Sequence, residues 1–553
     1  MAKQGSKLHE ESSAGWSETV AAIVVGVMCV AFGVPLWWKT TTTYRASLPY
    51  NDIEQVFKQE TTCKIPITLV LCSQQSDSGS SVKELEAQLA RSLMSGQDGS
   101  SSLGMQYSIY SRNCLTAERR FMEESSSVKE FDRKLSTLHQ DSVGQITLYI
   151  LGDSSVYFPD KKINIHVGQH RAIYIKGSKL EAPLELTAEL IKTVIVSEAS
   201  LDKHYKTARG VIHTVADLES MRSFRYNPGY ELSFTLLIPE PHNILGHWNL
   251  EKDQQVYLDP MTRKLEEFAE FTVASQVLYY TGLSVKPKKK DSSFYFPHSS
   301  LPHIITPVEA KLGSHVTNFP NLNFIVYIPR VDQSPLYIHS SDGNPVSTNA
   351  FLSPRWGGVL IYNTPIPDEN ATSPLRVEVK SQVIMPVFLA QLRLLLGIPS
   401  PDNIESVLLE EPKEQSILDW EYDSLLRRHC IENLASASAS LFSLSQLLEK
   451  ISNIVINDDI AKQVYTAVES IQSGHRFLAE GKLHPAFHAS KRALIASEKA
   501  FFDPSLLQLL YFPDDQKFAI YIPLFLPVSI PVVLSLFKAV QWIRQQRRKD
   551  KVD

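Results

Sequence analysis

Cysteine is scarce, 5 residues in 553, and no two form a C-x-x-C pair. Cys29 lies in an apolar stretch, and Cys63, Cys72, Cys114 and Cys430 are scattered outside it. That excludes a disulfide framework of the small secreted kind. Cys63 and Cys72 flank a strand-like run and could pair with each other or with another chain. Excess positive charge is missing too. Lys and Arg total 55 against 60 Asp and Glu, a net charge of −5. The last residues, 538–553, hold 6 positive and 2 negative charges, so the rest carries −9 and offers no basic surface for nucleic acid. Also absent are a P-loop, a G-x-S-x-G elbow and an H-E-x-x-H helix. No cofactor is implied.

What the chain does carry is an uncharged apolar segment near each end, Thr19 to Trp38 and Phe518 to Phe537. At about 1.5 Å per helical residue, each is long enough for a hydrocarbon core of ~30 Å. The first is too long for a signal core and runs into Pro35-Leu36-Trp37-Trp38-Lys39, so it reads as an uncleaved signal anchor. After the second come Lys538, Arg544, Arg547, Arg548, Lys549 and Lys551 against only Asp550 and Asp553. Short basic flanks stay cytosolic, which puts both termini in the cytosol and the middle in a lumen.

The expected organisation is therefore a cytosolic tail (1–18), a transmembrane helix (19–38), a lumenal mixed α/β body (39–413), a lumenal helical region (414–517), a second transmembrane helix (518–537) and a basic cytosolic tail (538–553). The fold class is α/β or α+β with a C-terminal helical bundle. Strand-like runs lie at Ile65 to Cys72, Gln145 to Leu151, Ala172 to Lys176, Tyr230 to Ile238, Phe271 to Tyr280, Leu322 to Ile328 and Gly358 to Tyr362. Leu184 to Leu218 and Val383 to Leu396 read as helices, and Lys286 to Asp291 as a solvated basic turn. Beyond Glu414 the spacing becomes helical over Leu425 to Ile451, Asp459 to Glu480 and Pro485 to Phe502. Asn457-Asp458-Asp459 is a plausible N-cap and Gly481 a plausible stop.

Few side chains suggest chemistry. His484 and His488 stand four apart and could share a metal, but Pro485 lies between them and no acid occupies the general-base position. They read as a surface-helix pair, with no metal expected. Cys114 or Cys430 with a histidine would serve a lumenal hydrolase or transferase, the rival reading, but no local motif supports the pairing. Asn370-Ala371-Thr372 is a glycosylation sequon in a Pro-rich loop. In the second apolar segment Pro523, Pro527 and Pro531 recur every four residues on one helix face, which suits packing against other subunits. Ala22, Gly26, Cys29 and Gly33 make a small-residue stripe in the first. Trp37, Trp38 and Lys39 could meet lipid headgroups or simply anchor the helix at the interface. Lys549 and Lys551, fifth and third from the end, fit a retrieval signal for endoplasmic reticulum membrane proteins or a plain basic flank.

Three long runs carry a family resemblance. They are Gly33-Val34-Pro35-Leu36-Trp37-Trp38-Lys39-Thr40 with Tyr44-Arg45-Ala46-Ser47-Leu48-Pro49-Tyr50; Asn349-Ala350-Phe351-Leu352-Ser353-Pro354-Arg355-Trp356-Gly357-Gly358; and Phe501 through Tyr511-Phe512-Pro513-Asp514-Asp515-Gln516-Lys517 into the proline-spaced helix. Together they resemble the PIG-S family, the S subunits of the GPI transamidase complex. The likeness implies a non-catalytic subunit in the endoplasmic reticulum membrane. It implies partners too: a caspase-like catalytic K subunit, T and U subunits, the GPI anchor attachment subunit and membrane lipid, including GPI itself. Direct contact with the proprotein does not follow from it.

Overall fold

The computed structural model describes residues 20–549 apart from 22, 34, 37–38, 40–43, 73–78, 96–102, 139–141, 152–156, 159–161, 178–179, 211–226, 314–318, 365–373, 399–403, 413–416, 452–453 and 509–513. The chain divides into two compact units. One comprises residues 60–432 and 474–488, the other residues 1–59, 433–473 and 489–553.

The first of these units holds two parallel-centred sheets. In chain order its elements begin β1 (Thr61–Leu71), β2 (Leu103–Asn113), β3 (Ile146–Leu151), β4 (Ile165–Val167) and β5 (Ala172–Lys176). β6 (Gly229–Ile238), β7 (Ile244–His247), β8 (Glu270–Tyr279), β9 (Lys288–Lys290), β10 (Ser293–Phe296) and β11 (Asn321–Tyr327) follow. The last are β12 (Leu336–Ile338), β13 (Ala350–Ser353), β14 (Gly357–Ile361), β15 (Leu375–Glu378) and β16 (Val407–Leu409).

One sheet runs β16-β4-β5-β3-β1-β2 and the other β13-β14-β11-β6-β8. Both use the same plan. β1, β2, β3 and β5 are parallel, with β4 antiparallel on β5; β6, β8, β11 and β14 are parallel, with β13 antiparallel on β14. In each, the first strand pairs with the second and third, and a hairpin precedes the fourth. β3, β6 and β14 are buried along their whole length, as expected of strands covered on both faces. The second sheet packs Ile325, Tyr327, Val359 and Ile361 with Phe296, Ile304 and Leu336, each large apolar side chain contributing about 1.5–3 kcal/mol. Lys286 to Asp291, read as a turn, instead contains the exposed strand β9, which pairs with β10.

The second unit is helical. α1 (Ile23–Gly33) and α2 (Tyr50–Lys58) come from its N-terminal part. α3 (Asp419–Lys450), α4 (Asp458–Glu480) and α5 (Leu483–Phe501) each start or end in the α/β unit, and α6 (Asp514–Lys549) closes the chain. Buried residues recur at three- and four-residue steps: Leu434, Ala437, Leu441, Leu444 and Leu448 in α3, Ile460, Val464, Ala467 and Ile471 in α4, Ala489, Ala493, Ala496 and Ala500 in α5. That spacing gives each helix one apolar seam. The Asn457 side chain accepts from the Ile460 N–H at 2.8 Å, a true N-cap. Gly481, at φ +79°, ends α4, with the Lys482 N–H bonded to the Phe477 carbonyl and its own N–H to Leu478, a Schellman stop.

Among the described residues no single helix is both long and apolar enough to cross a membrane. Ala519–Pro527 and Ser529–Lys538 reach that length and composition together, bent by 46°. The bend falls where Pro527 and Pro531 remove helix donors and crowd the preceding turn.

Candidate functional site

Neither cysteine of the enzymatic reading presents an exposed thiol. Cys114, just beyond β2, is disulfide-bonded to Cys72, just beyond β1, with Cα atoms 5.0 Å apart. This corrects the Cys63–Cys72 alternative. β1 and β2 are parallel neighbours in register, so their carboxyl ends bring positions 72 and 114 together, whereas Cys63 lies near the opposite end of β1. Cys63 and Cys430 are buried and outside any disulfide, and burial pushes the Cys63 thiol up, away from the reactive thiolate.

Several buried carboxylates of the α/β unit are paired with cations. Asp423 accepts two bonds from Arg171, at 2.7 and 2.8 Å, and one from the Gly144 N–H at 2.9 Å. Glu421 takes two from Arg393, and Asp419 accepts from His170 at 2.6 Å. Burial opposes the charge on Asp419, but the His170 hydrogen bond and the Lys264 and Arg171 cations outweigh it and hold the carboxyl well below its usual range. Beside this network lies a cavity of about 240 Å³ lined by Asp132, Ser136, Ser142, Thr147, His170 and Asp419. Asp132 is itself committed to the Gln169 and His170 N–H groups and the Tyr174 hydroxyl. These groups fix the first turns of α3 into the sheet unit.

A different cluster lies nearer solvent. Glu267, in the turn before β8, meets His484 at 2.7 Å, and His488 follows one helical turn on, its ring 4.6 Å from that of His484. The ligand atoms of all three lie within 4.8 Å of one another. The acid that meets the pair thus comes from 217 residues away in sequence.

Where they are described, residues of the three long sequence runs build architecture. In the middle run Asn349, at φ +48°, uses both amide protons and its oxygen on the Leu336 and Ile361 carbonyls and the Ile338 N–H. It ties β12 to β14. Gly357 and Gly358 admit the Asn323 carbonyl and the Gln391 amide where a Cβ would stand 1.9 Å from each oxygen. In the first run Arg45 donates to the Leu448 carbonyl at 2.6 Å, Tyr44 to Asp458 at 2.7 Å and the Ala46 N–H to Ile456 at 2.9 Å. The third begins with Asp503 capping Ser505, whose hydroxyl accepts from Asn457 at 3.1 Å.

Residues 24–546 match the family model described as Phosphatidylinositol-glycan biosynthesis class S protein. The chain belongs to the PIG-S family. It is 40% identical over 544 residues to a Homo sapiens protein named GPI-anchor transamidase component PIGS, covering 96% of each chain. To the rat protein of that name it is 39% identical over 549 residues, 96% of this chain and 97% of the relative. A Saccharomyces cerevisiae GPI transamidase component, GPI17, is 23% identical over 537 residues, 94% of this chain and 91% of the relative.

In this PIG-S family chain, Gly26 is buried and faces Leu536, so close that a Cβ at Gly26 would lie 2.8 Å from either δ-methyl. Gly33 is exposed, and a Cβ there would meet no other part of the described chain within 4 Å. Pro523, Pro527, Pro531 and Lys39 are exposed. Ala22, Trp37, Trp38, Asn370 and Lys551 lie outside the described residues, and Lys549 ends α6.

Proposed function

We propose that the chain is a non-catalytic subunit of a GPI-anchor transamidase at the endoplasmic reticulum membrane, supporting the attachment of GPI to proproteins. The observation that carries this reading is 40% identity, across 96% of both chains, with a protein named for that complex. Two further observations support it. The residues of the three family runs serve hairpins, caps and clamps, and the cysteines that an independent enzyme would need are bonded or buried. A subunit of this kind contributes by holding partners in register, since positioning a carbonyl against an amine lowers a barrier by several kcal/mol without new chemistry.

In this reading the two apolar segments, 19–38 and 518–537, are membrane spans, with the basic tail cytosolic and the body lumenal. Gly26 and Leu536 pack them together, and the exposed proline face of α6 meets other subunits. The caspase-like K subunit, the T and U subunits and the GPI anchor attachment subunit are the partners, with GPI lipid reaching Trp37, Trp38 and Lys39. Asn370 carries the glycan, and Lys549 and Lys551 retrieve the chain.

The test is affinity purification of the tagged chain in a mild detergent, with mass spectrometry of what accompanies it. Recovery of a caspase-like protease with further transamidase components is the expected result. Recovery of the chain alone would overturn the reading.

A further inference from the structure

We infer that Glu267, His484 and His488 form a binding site for a zinc-class divalent cation, a site independent of the subunit role above. The donor set is two imidazoles and one carboxylate, which suits a borderline ion such as Zn²⁺ and is poor for Mg²⁺ or Ca²⁺, which take oxygen ligands. A tetrahedral ion at ~2.1 Å from its ligands sets them about 3.4 Å apart. The pair at 2.7 Å opens slightly when the ion replaces the proton between Glu267 and His484, and His488 closes the rest by turning its ring.

The helix supplies the spacing. Residues four apart share one face of α5, so both imidazoles project to the same side. Pro485 is no obstacle, because it is the third residue of α5 and the first turn of a helix has no internal partner for its N–H groups.

The third ligand is held by packing. Phe268, next to Glu267, lies against Phe487 with ring centroids 5.0 Å apart and meets Tyr422 edge-on at 5.3 Å. Phe268 and Phe487 are both buried, so the turn and the helix are pinned at the cluster. The Tyr422 hydroxyl donates to the same Glu267 oxygen at 3.0 Å, the outer-shell bond that orients a metal-ligating carboxylate. His488 is exposed, which leaves a coordination position for water or for a side chain of another protein. Bound there, the ion cross-links the turn before β8 to the first two turns of α5 and stabilises the folded chain by mass action.

The test uses the full chain in detergent, purified without a histidine tag, stripped with a chelator and titrated with Co²⁺ alone. One equivalent should bind with visible d–d bands, Zn²⁺ should displace it, and the unfolding temperature should rise with either ion. H488A and E267Q, with circular dichroism matching the parent, should each bind at least tenfold more weakly. Absence of the bands, or a smaller loss in both variants, overturns the site.

Discussion

Gly357 approaches Asn323 so closely that a Cβ would lie 1.9 Å from the Asn323 carbonyl oxygen, and its φ of +144° is one that other residues resist. The obstacle is the backbone of β11, which is fixed between β6 and β14. Gly357→Ala must therefore push two parallel strands apart. Overpacking and backbone strain together should cost about 3 kcal/mol or more, seen as a large fall in unfolding temperature and in the amount of chain recovered. Gly358→Ala meets a side chain instead, Gln391, which can swing away at the loss of its hydrogen bond to Phe351. It should cost closer to about 1 kcal/mol.

The disulfide between Cys72 and Cys114 closes a loop of sequence separation 42. By the chain-entropy relation such a loop is worth roughly 4 kcal/mol. C72S/C114S should lower stability by an amount of that order, made visible when reducing agent brings the parent down to the variant. Transamidase function at permissive temperature should survive it, as it should survive Cys430→Ala. Loss of function in C430A with the fold intact would return attention to the enzymatic reading.

Much of this architecture was legible because the central strands are apolar runs bounded by breakers. Tyr230 to Ile238 and Leu322 to Ile328 are buried on both faces and read clearly. β2 did not, because an edge strand alternates weakly and Leu103 to Asn113 carries Gln, Ser, Arg and Asn at half-exposed or exposed positions. Local chemistry also reads well, as at Asn457 and Gly481, where a cap needs only its own few neighbours. What was hidden depends on topology. The Cys72–Cys114 bond follows from β1 lying beside β2, and Glu267 joins His484 only through tertiary packing. The repeated strand plan has no counterpart in matching sequence, since it rests on connection and order.

His475 is buried, and desolvation with the nearby Arg209 cation pushes its pKa from 6.5 down to about 4. It is neutral in the folded state where the unfolded chain would already be protonated. The unfolded state thus binds more protons between those values, so stability is fully present above pH ~6.5 and is lost as pH falls toward 4, by up to about 3 kcal/mol. His475→Gln should flatten that slope in urea unfolding measured from pH 7 to 4.5. An unchanged slope would assign the acid sensitivity to other groups.

Gly26 and Leu536, on α1 and α6, lie more than 500 residues apart in sequence. Leu536, itself half-buried, occupies the space a larger residue at 26 would need. Gly26→Leu should separate α1 from α6 and weaken any assembly that relies on their pairing, read as reduced recovery of partner subunits from detergent. Leu536→Ala removes the colliding methyl groups. The double variant G26L/L536A should therefore recover partners better than G26L alone, a rescue that general loss of apolar packing would not produce. Failure of that rescue would mean that Gly26 acts through something other than its approach to Leu536.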